Sequence, residues 1–361
     1  VCTSRVLSIF MINEGYEYYQ ISSVLMMKAL GNLFSMFNFK RMFLKLGTFR
    51  LLTISITIVV QSIIIIFAKL TFSSYLLAYL LFGFFEQSSK LILDPLLSDF
   101  FQNSNQKPFD IVLGNFIRFM SGFFIIIGKD KLGFILISLA TITLVPYALS
   151  EARNLFRKDY INAYDSRLLF VFNHYKIYFV SSFLNNICSY LLISYLIILL
   201  SNFKISHASS YLSFYLWGQF VFYYPSKFLI ELFQKKINHV VVINSFIIFI
   251  SSIAAFVFYY NPVRIFYGIN VFYGLSIALM GGAFSFSLKV YLSNIKKEED
   301  EFSVYVTENQ IKSLASFFGV LLGLVIMKFN VKNLIFITII LINLLNIIYI
   351  YFDKYFESKS E

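Results

Sequence analysis

Four charged residues stand inside otherwise apolar sequence, where they could do chemistry: Glu86, Lys90 and Asp94 in one run and Arg118 in the next. A spacing of four residues puts the first three on one helical face, each able to pair with the next. At 1.5 Å per residue, Arg118 lies roughly 13 Å into its run and Lys90 at about the same depth, with Glu86 about 6 Å deeper. The cluster can therefore meet across two helices. A carboxylate at such a place can take up and release a proton. Lys90 and Arg118, with Asn115 one turn before Arg118, could hold an anionic solute or free Glu86 in one conformation. A closed ion-pair network that only fixes helix packing would use the same residues, and both readings stand at this stage. Asp94 and Asp99 sit nearer the end of the run and suit ion pairs with Lys40, Arg41 or Lys45 at a cytoplasmic gate. Lys28 is the charge of the run near 19–39. It can face a cavity, pair with Glu14 or Glu17, or snorkel towards the membrane surface.

Later in the chain Asn185, Asn186, Trp217, Gln219 and Asn270 occupy the middles of apolar runs. They form a candidate substrate cavity, although helix–helix hydrogen bonding is the commoner use of such side chains in membranes. Nothing in the sequence resembles a nucleotide-binding loop, a metalloprotease helix or a nucleophile–base pair. Cys2 and Cys188 are far apart, and His174, His207 and His239 are scattered near the ends of runs. No disulfide framework, metal site or cofactor follows from them. The chain does not read as an enzyme, and energy from hydrolysis is not expected.

The elements that position these residues follow from composition. Of 361 residues, 58% are hydrophobic and only 14% charged, with a mean hydropathy of +0.74. A soluble domain of that composition lacks the polar side chains to cover its surface. Apolar runs of about 20 residues recur, each long enough to cross a hydrocarbon core of about 30 Å. Runs such as Leu334–Leu345 do not alternate, so the spans are helices and not barrel strands. Eleven full spans fall near 19–39, 51–69, 71–93, 109–128, 132–149, 177–200, 208–230, 239–260, 263–290, 303–327 and 331–352. Val1–Ile12 is apolar but too short to cross alone, which is expected of a truncated first helix in a twelve-span protein, or of a short interfacial segment.

Loop charges set the orientation. With the loop at 40–50 placed in the cytoplasm, sixteen Lys and Arg fall on that side and seven on the other. This bias also puts the C-terminus inside. It, rather than a nucleic-acid partner, accounts for the net charge of +11. The longest polar connection, Ser150–Arg167, lies on the same side and reads as a linker between two six-helix halves, 1–150 and 168–361. A repeat supports the division. Leu97, Ser98 and Asp99 match Leu292, Ser293 and Asn294; Asn115, Ile117, Arg118, Gly122, Phe123 and Phe124 match Asn309, Ile311, Lys312, Ser316, Phe317 and Phe318. The offset is 194 to 195 residues, and Lys40-Arg41 returns as Lys235-Lys236 at the same offset. Parallel repeats generate a two-fold axis along the membrane normal with a cavity between the halves.

With these features the chain resembles the major facilitator superfamily. Lys45, Gly47 and Arg50 are similar to the basic and glycine positions of that family's loop after the second helix, with Lys40 at the leading glycine and Leu44 at the acidic position. The stretch Gly83 to Asp99 is similar to its fourth helix and cytoplasmic exit. The fifth run holds Gly114, Gly122 and Gly128 but no proline, which departs from the family's drug–proton exporters. The resemblance implies an all-α, polytopic bundle of two pseudo-symmetric halves. It implies a secondary active transporter of a small solute, working by alternating access with a proton as the expected coupling ion. Lipids and the solute are then the partners, and the chain is a monomer. The abundance of Phe, Ile, Tyr, Lys and Asn fits a low-GC genome, hence a bacterial plasma membrane. A lipid-linked saccharide flippase, a membrane-embedded glycan enzyme and a non-transporting relative are the rival readings.

Overall fold

A computed structural model describes residues 11–12, 14–67, 71–103, 176–200, 237–260, 301–329, 331 and 334–360. Among them run six helices: α1 (Tyr18–Phe67), α2 (Phe72–Asn103), α3 (Lys176–Leu200), α4 (Ile237–Tyr260), α5 (Glu301–Lys328) and α6 (Leu334–Ser360). The spans read near 109–128, 132–149, 208–230 and 263–290, the linker at 151–167 and residues 1–10 lie outside the described residues. Thr307–Lys328 and Leu334–Phe352 are each long and apolar enough to cross a membrane.

Where the sequence suggests a loop at 40–50, the chain stays helical to Leu46 and breaks at Gly47, whose φ is 73° and ψ 168°. Lys40–Leu46 holds no glycine or proline to stop the helix earlier. The left-handed φ at position 47 is one that glycine adopts without steric penalty. α2 likewise runs on to Asn103, past the boundary near 93 that its hydropathy suggests. α6 carries its polar tail in the same helix as far as Ser360.

The first part of α1 packs along α2 with the two chains running parallel. Position 31 faces 80 and 84, 35 faces 88 and 36 faces 87, so both advance together. That direction requires α1 to cross, return beyond Gly47 and cross again as α2, which is the alternation a membrane imposes. Several hydroxyls inside these helices are satisfied locally. Ser22 donates to the carbonyl of Tyr18 at 2.7 Å, Ser55 to that of Leu51 at 2.7 Å and Ser252 to that of Ile248 at 2.6 Å. With no water in a hydrocarbon core, such back-bonding spares each hydroxyl the cost of having no partner.

Two apolar cores result. One joins Ile21, Leu25 and Tyr79 of α1 and α2 to Leu191, Val320 and Phe336 of α3, α5 and α6. The other holds Met36, Phe39 and Phe43 with Leu51, Leu91 and Ile92, all from α1 and α2. Helices α3, α4 and α6 are joined by amides. Asn346 donates to the Oδ1 of Asn185 at 3.3 Å and lies 3.5 Å from the hydroxyl of Ser245. Asn343 donates to the carbonyl of Ile339 at 2.9 Å and reaches Cys188 Sγ at 3.5 Å. Asn346→Ala leaves Asn185 and Ser245 without that donor in a buried site. It should lower stability in detergent by about 1–3 kcal/mol, read as a drop in Tm, while Asn186→Ala lowers it by less.

Candidate functional site: a buried ion pair at a helix crossing

Lys28 and Glu86 meet where α1 crosses α2. The Nζ of Lys28 lies 2.8 Å from the Oε2 of Glu86, with the two side chains 10% and 15% exposed. The same ammonium sits 4.7 Å from the centroid of the Phe82 ring, which adds a cation–π attraction. Lys28 is ten residues from the start of α1 and Glu86 fourteen from the start of α2. Those counts place them roughly 15 and 21 Å along their helices, near the middle of a hydrocarbon core of about 30 Å. A charge at that depth is costly unless paired.

Glycine permits the pairing. A Cβ on Gly83 would stand 2.2 Å from the carbonyl oxygen of Lys28, and one on Gly31 would stand 2.2 Å from that of Leu80. Both are inside van der Waals contact with backbone, so the helices touch main chain to main chain and any larger residue must separate them. Farther along, the hydroxyls of Ser35 and Ser88 share a hydrogen bond of 2.8 Å. Gln87 Nε2 lies 3.5 Å from Met36 Sδ. Ion pair, glycines and serines thus form one continuous seam.

The sequence reading paired Glu86 with Lys90 on its own helix and left Lys28 open between a cavity, Glu14, Glu17 and the membrane surface. The structure joins Glu86 to Lys28 across the helix crossing. Lys90, Asp94 and Asp99 lie on α2, but their side chains are outside what is described. Asn115, Arg118, Trp217, Gln219 and Asn270 lie outside the described residues altogether. Lys40 is half-buried and Arg41 and Lys45 are exposed, on the turns of α1 just before Gly47. Asn185 faces α6 and accepts from Asn346, while Asn186 donates to the carbonyl of Ser182 on its own helix at 2.8 Å.

Sequence reasoning missed a second pair. Glu308, buried, forms a salt bridge with Lys312 one turn on, flanked by buried Thr307, Asn309, Ser313 and Ser316. The signal was legible, since a Glu four residues before a Lys is a favourable helical spacing. Asn309 and Lys312 had been used for the repeat and for nothing else.

Solved structures carry the same arrangement of helices. Nucleoside transporter NupG, as a point variant, superposes with a TM-score of 0.68 at 15% identity, covering 96% of this chain and 94% of that one. A D-xylose-proton symporter gives 0.66 at 10% identity, covering 96% and 91%. The E. coli fucose:proton symporter FucP gives 0.59 at 12% identity, covering 97% and 95%. The fold is the one that these three solved transporters share. No protein-family model matches the sequence, and no curated protein matches it. The likeness covers nearly the whole chain, and among the described residues the expected helical bundle is what the structure has.

Removing one partner takes from the other its counter-charge at 2.8 Å. Lys28→Met should cost about 3–5 kcal/mol, the scale of breaking a buried ion pair from one side. The double variant Lys28→Met with Glu86→Leu should recover most of that loss in thermal unfolding. A loss in the double variant equal to the sum of those in Lys28→Met and Glu86→Leu alone would show that the pair is not coupled.

Proposed function

We propose that this chain is a secondary active transporter of a small polar solute. Two six-helix halves, 1–150 and 168–361, joined by the linker at 151–167, rock about a midplane site, and proton binding at Glu86 couples the cycle. The observation that carries the reading is the Lys28–Glu86 pair, buried near the middle of a transporter-type bundle. While Glu86 is ionised, it compensates Lys28 and the crossing is closed. A proton on Glu86 turns the carboxylate into a neutral acid and takes away the counter-charge of Lys28. The ammonium then loses the counter-charge 2.8 Å away and leans on its remaining contacts or on water, because burying a less compensated cation costs more. That requirement converts a proton into a conformational force on the α1–α2 seam. Lys90 and Arg118 are the cations assigned to hold the solute or to compete for Glu86, with Asn115 beside Arg118. Asp94 and Asp99 with Lys40, Arg41 and Lys45 form the cytoplasmic gate, and Trp217, Gln219 and Asn270 line the cavity from the second half.

The named neighbours support a hydroxyl-rich substrate: nucleosides for one, a pentose and a deoxyhexose sugar for the others. Loop charges support a C-terminus in the cytoplasm and a plasma-membrane location. The assay is uptake of uridine, D-xylose and L-fucose by proteoliposomes with and without an inward pH gradient. Native protein should accumulate one of them above equilibrium, and Glu86→Gln should lose accumulation by at least tenfold while still exchanging labelled for unlabelled solute. Accumulation that survives in Glu86→Gln removes Glu86 from the coupling role.

A further inference from the structure

On the α1–α2 seam stands a polar atom with no partner among the described residues. The side-chain oxygen of Asn32, Oδ1, is buried and accepts no hydrogen bond there. A buried carbonyl-type oxygen without a donor is uncommon and costly. Asn32 follows Lys28 by four residues on α1, which puts it roughly 40° round the helix and about 6 Å along it. That position falls between Lys28 and Met36, both of which touch α2, so Asn32 stands on the side of α1 that faces the crossing. Its level follows from the register of the two helices. Gly83 lies against the backbone of Lys28, and Ser88 lies against Ser35. Glu86, three residues past Gly83, is therefore level with the turn of α1 that carries Asn32. Lys28 reaches along α1 toward that turn to meet the carboxylate at 2.8 Å. An ammonium has three protons to donate and a carboxamide oxygen accepts, so Asn32 offers Lys28 a second acceptor at the level of the first.

We propose that Asn32 receives the ammonium of Lys28 when Glu86 takes up a proton. The proposal rests on the reading of Glu86 as the coupling acid. The incoming proton stays on the carboxyl group, and Lys28 keeps its charge and its three protons. The ammonium exchanges its hydrogen bond to Glu86 Oε2 for one to Asn32 Oδ1, which satisfies the oxygen that has no donor in the ionised state. Phe82, whose ring centroid is 4.7 Å from the ammonium, has no proton to gain or lose, and its attraction for the cation persists through the exchange. Before the exchange the cation binds a carboxylate of α2, and afterwards a carboxamide of its own helix. The charge pair that ties α1 to α2 thus opens without leaving Lys28 bare. Among the described residues, Tyr79 lies two turns before Glu86 on α2 and Lys90 one turn after it. On α5, which also touches α2, Glu308 and Lys312 pair with each other. Asn32 is uncharged, so replacing it with another neutral residue alters none of these charges.

Infrared difference spectroscopy on the full chain in nanodiscs reads the proton on Glu86 directly, as the carboxylic acid carbonyl band that Glu86→Gln abolishes. Asn32→Leu keeps the branched shape and removes the acceptor, so the protonated site loses its second partner. Proton binding should weaken about tenfold, a shift of about one pH unit to the acid side, as expected for one hydrogen bond to a charged group. Asn32→Asp should move the first protonation of the site to the alkaline side by a similar amount, because a second carboxylate competes for Lys28 and repels the charge on Glu86. An unchanged titration in Asn32→Leu overturns the proposal. So does a shift of both variants in the same direction, which disturbed helix packing would give. The spectra need no solute. If the Glu86 band titrates and Asn32→Leu leaves it unmoved, Glu86 stays the coupling acid and Asn32 loses its role; if no band depends on Glu86, the coupling reading fails and the proposal with it.

Discussion

The cost of placing a charge in hydrocarbon organises this molecule. Lys28 and Glu86 are both largely buried, and their contact of 2.8 Å offsets part of the cost of that burial. Everything close to them serves that contact. Gly31 and Gly83 let two backbones touch, Phe82 offers its ring face to the ammonium, and Ser35 and Ser88 continue the seam. In the proposed cycle a proton on Glu86 weakens this pair and so acts on the packing of the two helices.

The rest of the bundle is arranged around that seam with a visible asymmetry. At one end, side chains from α1 and α2 share a core with those of α3, α5 and α6. At the other, α1 and α2 close only on themselves among the described residues. The second group of helices has its own polar fastening, in which Asn185, Ser245, Asn343 and Asn346 link α3, α4 and α6. It also has its own charge pair, Glu308 with Lys312 on α5. Each of these two ion pairs thus lies within its own group of helices.

The helical membrane architecture was legible because hydropathy is a property of twenty-residue windows, and the resemblance to major facilitator transporters followed from loop charge and repeat. What the sequence could not show was which polar side chains face one another. Glu86 has Lys90 a turn away on its own helix, so local spacing points to that cation and not to Lys28 on another helix. The pairing with Lys28 depends on a backbone contact between Gly31 and Gly83 that no window of sequence contains. Gly47 was picked out as a signature remnant, and its φ of 73° gives it the plainer task of ending a helix. Tyr195 drew no attention among 25 tyrosines, because the packing of its ring depends on a glycine 128 residues later in the chain.

The central claim is that a proton on Glu86 drives the cycle by releasing Lys28. Its most direct test is the proton flux itself, recorded by a pH-sensitive dye trapped inside proteoliposomes as the transported solute is added outside with no preset gradient. The account predicts internal acidification that tracks solute entry in the native protein and is absent in Glu86→Gln, although solute still equilibrates. Acidification of equal size in native protein and Glu86→Gln would contradict it.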